Sequence, residues 1–295
     1  MTNEVRRADW ASRRMTREAF VAKVAKAGRL HYRDLPWRNI DDPYAVLVSE
    51  VMLQQTQVAR VEGFWRRFLA AFPTIDALAA ASTADVLALW QGLGYNRRAL
   101  ALKRCADECA ARYAGKLPKT AQELEALPGI GPATAAGVLA FAHNAPSCYI
   151  ETNVRTVFLH EIFPDREKVS DCELEPYVRE AAQCAFEELS PRVWYYALLD
   201  YGSYLKSQVA NPSRRSAHYS RQSAFMGSHR QKRSFVLKAV LASPEGIAAE
   251  EARAALDRFE AAAGRAPVEQ EEFDRVISEL VLEGFFRREE NLLLP

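Results

Sequence analysis

The sequence predicts a mainly α-helical protein that carries a small C-terminal domain of three helices and a hairpin. Apolar residues recur at helical spacing along most of the chain, and prolines such as Pro73, Pro118 and Pro128 separate the helical segments. No stretch with the alternation of a strand precedes the C-terminus. With 295 residues, 49% of them hydrophobic, the chain can build two compact domains or one domain and an appendage.

The individual helices follow from these breaks. An amphipathic helix is predicted over residues 16–31, and Leu35-Pro36 ends it because a residue before proline leaves the helical region. Further helices are predicted over residues 43–58, 60–72, 75–81, 83–91, 96–113, 120–126 and 133–142.

Charge is unevenly distributed, although the formal net charge is only +1. Residues 201–244 contain lysines and arginines but no acidic residue, whereas acids outnumber bases in residues 245–295. This asymmetry predicts one surface for a polyanion and another surface for a different purpose. The alternative is an ordinary solvated charged face.

The five cysteines predict a reduced, cytoplasmic protein, because their number is odd and neither a signal peptide nor an 18-residue apolar run accompanies them. Cys105 and Cys109 lie four residues apart on one predicted helix face. A metal site would need further ligands, so core packing is the preferred interpretation.

The stretch Leu127-Pro128-Gly129-Ile130-Gly131 combines two glycines with the start of a helix. The glycines permit a tight turn that gathers backbone N–H groups at the helix N-terminus, where an anion, most often a phosphate, binds. The alternative is a plain corner between two helices. About twenty residues later comes Glu151 before Thr152-Asn153, which by itself is a favourable helix start.

This pair of motifs resembles the helix-hairpin-helix DNA glycosylase superfamily. Residues 49–58 (SEVMLQQTQV) are similar to its MutY-type adenine glycosylase branch in particular, as are Leu35-Pro36-Trp37-Arg38, Pro43-Tyr44 and Gly92-Leu93-Gly94-Tyr95. The resemblance covers roughly residues 35–202. It implies a two-lobed body over residues 1–228, with a six-helix lobe at about 43–149 and a second lobe built from 1–34 and 150–228.

The resemblance implies that two carboxylates remove a base, above all adenine mispaired with guanine or 8-oxoguanine. Glu50 matches the acid that protonates adenine N7, and its apolar neighbours fit a carboxyl whose pKa is raised by burial. Glu151 matches the carboxylate that stabilises an oxocarbenium-like sugar. The family has Asp at this position, and Glu151 has one more methylene group. The three alternatives are that the activity is kept, is changed to another substrate or is lost. Without the resemblance, Glu50 is a solvent-facing glutamate.

The resemblance also implies roles in DNA binding. Gln55 would fill the gap that the flipped base leaves, and Tyr95 would wedge beside the opposite base. Gly129 and Gly131 would bind a backbone phosphate. Arg38 and Asn153 would line the base pocket and the sugar site. For Tyr95, a place in the core as an ordinary aromatic is the alternative.

Two departures from the family bear on cofactors and on lyase activity. Ala133 stands where bifunctional relatives place a Schiff-base lysine, so we expect a monofunctional glycosylase. Most relatives hold an iron–sulfur cluster through four cysteines downstream of the equivalent of Asp200-Tyr201-Gly202, but residues 204–225 contain no cysteine. We therefore expect no cluster, no metal and no other cofactor. Arg214 and Arg215 in this loop predict a clamp on the DNA backbone.

The C-terminal part does not match the Nudix-like domain by which MutY-type enzymes recognise 8-oxoguanine. Helices are predicted over residues 231–241, 248–259 and 268–282, followed by a hairpin, and this order predicts a winged-helix-like domain over residues 229–295. The third helix carries several acids against Arg275 alone. It is therefore poorly suited to a groove of phosphates, which favours a protein-facing or structural role.

Together, these features predict a monomeric, monofunctional base-excision-repair glycosylase that acts on double-stranded DNA near the nucleoid and does not bind membranes. A protein partner is expected for the acidic C-terminal domain. Two alternatives remain: the same chemistry on another damaged or mismatched base, and a DNA-binding relative without catalysis.

Overall fold

A computed structural model describes residues 7–221 and 223–295, and over these residues the chain is mainly helical, as predicted. The helices are α1 (Arg17–Leu30), α2 (Pro43–Leu53), α3 (Val58–Ala71), α4 (Ile75–Ala80), α5 (Thr83–Trp90), α6 (Arg97–Arg112), α7 (Ala121–Glu125), α8 (Pro132–Phe141), α9 (Thr152–Glu161), α10 (Asp171–Ala185), α11 (Pro191–Gln208), α12 (His229–Leu241), α13 (Ala249–Ala262) and α14 (Gln270–Glu283). The strands are β1 (Ile247–Ala248), β2 (Arg287–Glu289) and β3 (Leu292–Leu294).

Side-chain caps explain why many helices begin where the sequence predicts. Thr16, Thr74, Ser82 and Thr120 each accept a hydrogen bond from the backbone N–H three residues later. Such a bond satisfies one of the backbone donors that a helix start leaves without an intrahelical partner. The starts of these helices are therefore encoded locally.

Helix α2 ends earlier than predicted. The sequence pattern predicts helix through residue 58, but α2 ends at Leu53 and α3 begins at Val58. Gln55 has a φ of 56°, which lies in the left-handed region and breaks the helix. The backbone N–H of Thr56 donates to the carbonyl oxygen of Leu53 at 3.3 Å and closes a turn.

Two compact units share the chain. The first comprises the described residues up to Glu50, Leu117–Ala126 and Ile130–Arg221. The second comprises Val51–Lys116, Leu127–Gly129 and the described residues from Ser223 onward. The lobe and domain boundaries predicted from the sequence stay predictions.

Helix α11 lies at the centre of the first unit, where α1 and α9 pack against it. Its side chains Trp194 and Tyr195 are fully buried. A Cβ atom on Gly202 would lie 2.3 Å from the carbonyl oxygen of Asn153. Glycine at this position therefore allows α11 to approach the first turn of α9, and it fixes where that turn lies.

A buried ion pair joins the segment before α2 to α11 within the first unit. The Arg38 side chain is 1% exposed and the Asp200 side chain is 0% exposed. The Nη1 and Nη2 atoms of Arg38 each donate to one carboxylate oxygen of Asp200 at 2.8 Å. Arg33 adds a bond from Nε to Oδ1 of Asp200 at 2.6 Å.

The second unit contains the C-terminal helices α12–α14, of which α12 packs against α5. Strands β1, β3 and β2 form an antiparallel sheet in that order, with Ile247 opposite Leu293. The winged-helix-like order predicted from the sequence is present. Strand β1 was not predicted, because two residues are too few to show the alternation of a strand.

The acids of α14 face the bases of α12 inside this domain. His229 contacts Glu272 and Glu279, each at 2.8 Å, and Arg233 pairs with Glu279 and Glu283. These contacts lower the pKa values of Glu272 and Glu279 despite partial burial. The acidic helix therefore has a structural role, one of the two roles that the sequence analysis favoured.

Among residues 7–221 and 223–295, none of the helices is both long enough and apolar enough to cross a membrane.

The buried ion pair predicts a large effect of one substitution. Asp200→Asn should lower the free energy of unfolding by about 3–5 kcal/mol, because it leaves the Arg38 guanidinium buried without its counter-charge. Equilibrium unfolding in urea measures this change.

The control is Asp165→Asn, which removes the partner of Arg14 from a pair whose side chains are 65% and 77% exposed. Its cost should stay below about 1 kcal/mol. Equal losses in the two variants would show that burial of the Asp200 pair contributes nothing special.

Candidate functional site

The glycine turn between α7 and α8 has the backbone geometry that the sequence predicts. Gly129 has a φ of 76°, and a Cβ on it would lie 2.5 Å from the Cβ of Ala101. Gly131 is the N-cap residue of α8, and Pro132 occupies the first helical position. A Cβ on Gly131 would meet no heavy atom within 4 Å, so an anion can approach the N-terminus of α8.

Glu50 lies near the end of α2, and its carboxyl group contacts Tyr149 in the first unit. The Tyr149 hydroxyl donates to Oε2 of Glu50 at 3.2 Å. Desolvation raises the pKa of Glu50 from 4.5 to about 7, and the charge of Glu151 adds to this effect, while the Tyr149 bond opposes it. A large fraction of Glu50 is therefore protonated at neutral pH, as a general acid requires.

Gly137 in the middle of α8 makes the space for this carboxyl group. A Cβ on Gly137 would lie 2.4 Å from Oε2 of Glu50 and 3.1 Å from Cε2 of Tyr149. The sequence analysis missed this residue. Its signal was a glycine inside a helix, which is unfavourable by about 1 kcal/mol relative to alanine and so needs a reason.

Glu151 is the N-cap residue of α9, and its environment differs from that of Glu50. Its Oε1 atom accepts hydrogen bonds from the backbone N–H groups of Asn153 at 2.5 Å and Val154 at 3.0 Å. Burial raises the pKa of Glu151, while these N–H groups and the charges of Lys206 and Arg155 oppose the increase. The donors stabilise the ionised form of Glu151, whereas Glu50 receives one hydroxyl bond.

Lys206 and Asn153 complete the surroundings of Glu151. Lys206 lies one helical turn after Gly202 on α11, and its burial lowers its pKa while Glu151 raises it. The Nδ2 atom of Asn153 lies 3.4 Å from Oε2 of Glu151. Within the described residues, Oδ1 of Asn153 is buried and has no hydrogen-bond partner. Sequence reasoning missed Lys206, although its spacing of four residues from Gly202 places both on one helix face.

Gln55 and Tyr95 belong to the second unit, and both adopt left-handed backbone conformations. Their φ values are 56° and 52°, and Tyr95 is 37% exposed. Non-glycine residues in this region store strain, which is common at functional sites. The exposure of Tyr95 also disfavours its interpretation as an ordinary core aromatic.

Arg98 holds the two strained turns in place. Its Nη1 atom donates to the carbonyl oxygens of Val51 and Met52 at 2.8 Å and of Gln54 at 2.6 Å. Its Nη2 atom donates to the carbonyl oxygen of Gly94 at 2.8 Å. Desolvation lowers the pKa of Arg98 to about 10. Nη2 also donates to Oγ1 of Thr56 at 3.1 Å. No local pattern indicates this role, because the other acceptors are backbone carbonyl groups.

Two arginines that were expected to contact DNA have other contacts. The guanidinium of Arg38 forms the buried ion pair with Asp200 that is described above. Both terminal nitrogens of Arg215 donate to backbone carbonyl oxygens, which belong to Leu159, Phe163, Pro164 and Arg166. Arg215 therefore fixes its loop against the end of α9, whereas Arg214 is exposed and able to meet a phosphate. The difference arises because a charge pattern cannot show which arginines meet open helix carbonyls.

The loop where the family resemblance would place an iron–sulfur cluster lacks the thiolates that hold such a group. Residues 204–225 contain no cysteine, and the loop is held by Arg215 and by backbone bonds between Val169 and both Arg215 and Ala217. Within residues 7–221 and 223–295, no three His, Cys, Asp or Glu side chains come together in a way that could hold a metal. The expectation that the protein has no cofactor stays a prediction.

Part of the chain is similar to known proteins. Residues 48–190 match the HhH-GPD superfamily of base excision DNA repair proteins. The adenine DNA glycosylase of Mycolicibacterium smegmatis is 47% identical over 126 residues, which are 42% of this chain and 43% of that protein. The thymine/uracil-DNA glycosylase of Pyrobaculum aerophilum is 36% identical over 137 residues, 46% of this chain and 59% of that protein.

A solved thermostable thymine-DNA glycosylase has the same fold, with a TM-score of 0.55 and 23% identity over 63% of this chain and 86% of that chain. The matches support the superfamily and the MutY-type branch that the sequence motifs resemble. The aligned part of this chain spans less than half the length of the mycobacterial adenine glycosylases.

The space at Gly137 predicts a selective effect on the site. Gly137→Ala should displace the Glu50 carboxyl group and reduce any activity that needs it by about 10²–10⁴-fold, the usual effect of losing a placed acid. The helix itself should form at least as well, because alanine favours it. Single-turnover rates on duplex DNA and thermal unfolding measure the two effects.

Gly63→Ala is the matched control, since Gly63 lies in α3 and a Cβ there would meet only Nη1 of Arg67 at 3.7 Å. This variant should keep its rate and gain stability. If Gly137→Ala retains the parent rate, the position of the Glu50 carboxyl group does not matter to the chemistry.

Glu50 also predicts how stability depends on pH. The native state holds the Glu50 proton to about pH 7, whereas an unfolded chain releases it near 4.5. Stability should therefore fall as pH rises through this window, because the native state binds more protons than the unfolded state there. Glu50→Gln should remove this part of the dependence, so the variant should gain stability relative to the parent as pH rises from 4.5 to 7.

The same measurements on Glu125→Gln, which changes an exposed glutamate, provide the control. Parallel pH curves for the parent and Glu50→Gln would mean that Glu50 ionises in the native state as it does in water.

Proposed function

We propose that this chain, whose residues 48–190 belong to the HhH-GPD superfamily of base excision DNA repair proteins, is a glycosylase that removes mispaired adenine from duplex DNA. The observation that carries the proposal is the presence, in one unit, of two glutamates with different surroundings: Glu50 accepts one hydroxyl hydrogen bond, whereas Glu151 accepts two hydrogen bonds from backbone N–H groups. Glu50 favours the protonated form and Glu151 receives donors that favour the ionised form. Such a difference assigns an acid and an anionic stabiliser.

In the first step, Glu50 donates its proton to N7 of the flipped adenine. The electrons of the bond between the sugar C1′ and N9 then move into the base, which leaves as neutral adenine. Tyr149 keeps the carboxyl group of Glu50 in position through its hydroxyl bond. The pKa of Glu50, at about 7, suits this role, because proton transfer is most efficient when the acid titrates near the working pH.

In the second step, the Glu151 carboxylate stabilises the positive charge that develops on the sugar. Water then adds to C1′, and the proton that it loses returns to the Glu50 carboxylate, which restores the starting state. Oδ1 of Asn153, a buried acceptor beside Glu151, supports contact with a donor of the substrate or with this water.

The N-cap geometry supports glutamate as a working replacement for the family's aspartate. With the extra methylene group of Glu151, Oε1 accepts hydrogen bonds from two backbone N–H groups. Oε2 faces the side-chain amide of Asn153. Lys206 adds a positive charge that favours the carboxylate. We therefore propose that activity is kept.

DNA binding would use features of each unit separately. In the first unit, the N-terminus of α8 would hold a backbone phosphate and the exposed Arg214 would neutralise another. In the second unit, Gln55 and Tyr95 would occupy the gap in the base stack that flipping creates.

Ala133 offers no amine for an imine, so we propose that the product is an intact abasic site. A location in the cytoplasm at the nucleoid, a monomeric state and a protein partner of the C-terminal domain remain expectations.

A panel of duplexes tests the proposal under single-turnover conditions. The parent should release adenine opposite guanine or 8-oxoguanine but should leave thymine and uracil opposite guanine in place, because a pyrimidine lacks the N7 atom that Glu50 protonates. Glu50→Gln and Glu151→Gln should each slow release by about 10²–10⁴-fold while duplex binding remains. Strand breaks should appear only after alkali.

Glu62→Gln, at a glutamate that pairs with Arg66 on α3, serves as the control. Release of thymine or uracil instead of adenine would show that the chemistry serves another lesion. Binding without any release would leave a DNA-binding protein without catalysis. A borohydride-trapped complex would contradict the monofunctional assignment.

A further inference from the structure

Tyr95 lies between two arginines on the surface of the second unit. The Cζ atom of Arg98 is 5.5 Å from the centroid of its ring, and the Cζ atom of Arg230 is 6.0 Å from it. Nη1 of Arg230 also donates to the Tyr95 hydroxyl at 3.2 Å. Because Arg98 is bonded to backbone carbonyl groups, Arg230 is the one of the two that can turn toward a ligand.

Arg230 belongs to α12, the first helix of the C-terminal domain. Its Nη2 atom donates to the carbonyl oxygen of Ser223 at 2.8 Å, which holds the side chain toward Tyr95. Phe225 is a second aromatic neighbour, with its ring centroid 6.0 Å from Cζ of Arg230. Phe225 is 49% exposed and the neighbouring Met226 is 68% exposed. The C-terminal domain and the preceding segment thus extend the surface around Tyr95.

The composition of this surface is that of a site for an unstacked nucleobase. Exposed aromatic rings offer stacking faces, and a guanidinium adds both a cation–π contact and hydrogen-bond donors. The left-handed conformation of the exposed Tyr95 is energetically unfavourable. Hydrogen bonds from Arg98 stabilise the turn that holds Tyr95 in this conformation. Burial of apolar surface does not explain this arrangement, because the aromatic rings remain exposed to water.

We propose that Arg230 of the C-terminal domain, together with Tyr95, reads the base that loses its partner when the target base is flipped, and that it selects guanine-type bases. This inference rests on the proposed function, since only flipping leaves such a base unpaired. A guanidinium only donates, and the major-groove edge of guanine offers two acceptors, O6 and N7. Thymine offers one acceptor there, and cytosine offers a donor.

The alternative is that Arg230 neutralises a backbone phosphate. Such a contact would strengthen binding equally for every opposite base. The two roles therefore differ in their dependence on the opposite base, which binding measurements detect without any turnover.

The test measures the affinity of the full chain for duplexes that carry a tetrahydrofuran abasic analogue opposite guanine, thymine or cytosine. The parent should prefer guanine by at least about fivefold, and Arg230→Ala should weaken the guanine complex by about 5- to 100-fold, the range of one bidentate base contact. The thymine and cytosine complexes should change by less than about threefold, so the preference should disappear. Arg230→Lys should not restore it, because lysine lacks the planar fork.

Arg258→Ala is the matched control, since Arg258 is an exposed arginine of α13 in the same domain. It should leave all affinities unchanged, and thermal unfolding should show that each variant is folded. Equal weakening on every duplex, an unchanged preference in Arg230→Ala or no preference in the parent would each overturn the proposal.

These results separate the inference from the proposed function. A guanine preference that depends on Arg230, in a parent that releases no adenine, would support the reading role and contradict the enzymatic proposal. Adenine release at the parent rate together with an unchanged preference in Arg230→Ala would do the reverse.

Discussion

Two partly buried carboxylates in the same unit cannot both be ionised at low cost, and the first unit is organised around this constraint. Gly137 leaves room for the Glu50 carboxyl group and Tyr149 supplies its hydroxyl bond. Glu151 instead receives backbone donors at the start of α9 and lies near the positive charge of Lys206. The close approach of α11 at Gly202 fixes where that helix start lies. Burial thus raises the pKa of both carboxyl groups, and only Glu151 has several donors and positive charges that oppose the increase.

The sequence alone could predict the helical class and most helix boundaries, and it singled out two glutamates that the structure places in one unit. Helix starts are local, because a cap such as Thr16 or Ser82 bonds to the chain three residues away. The carboxylates could be found because their flanking motifs resemble a known family. The winged-helix-like order also followed from periodicity, apart from strand β1 of two residues.

Contacts between distant segments could not be predicted. Arg98, Arg215 and Arg38 look alike in the sequence, yet the first two bond mainly to backbone carbonyl groups and the third is buried against Asp200. No local pattern shows which carbonyl groups a fold leaves open. The early end of α2 at Leu53 has the same origin, since the left-handed turn at Gln55 is held by Arg98 from another helix.

Dissolved salt weakens two sets of electrostatic contacts of this protein. Ions weaken attraction between arginines and phosphates, and the slope of affinity against salt concentration is commonly used to count such contacts. The ion pairs between α12 and α14 are also partly exposed, so the same ions screen them. Since Arg230 lies on α12, loosening these pairs would change its setting beside Tyr95. A salt titration of the proposed DNA binding would therefore combine counterion release with any change in the setting of Arg230, so its slope alone would not count the phosphates touched.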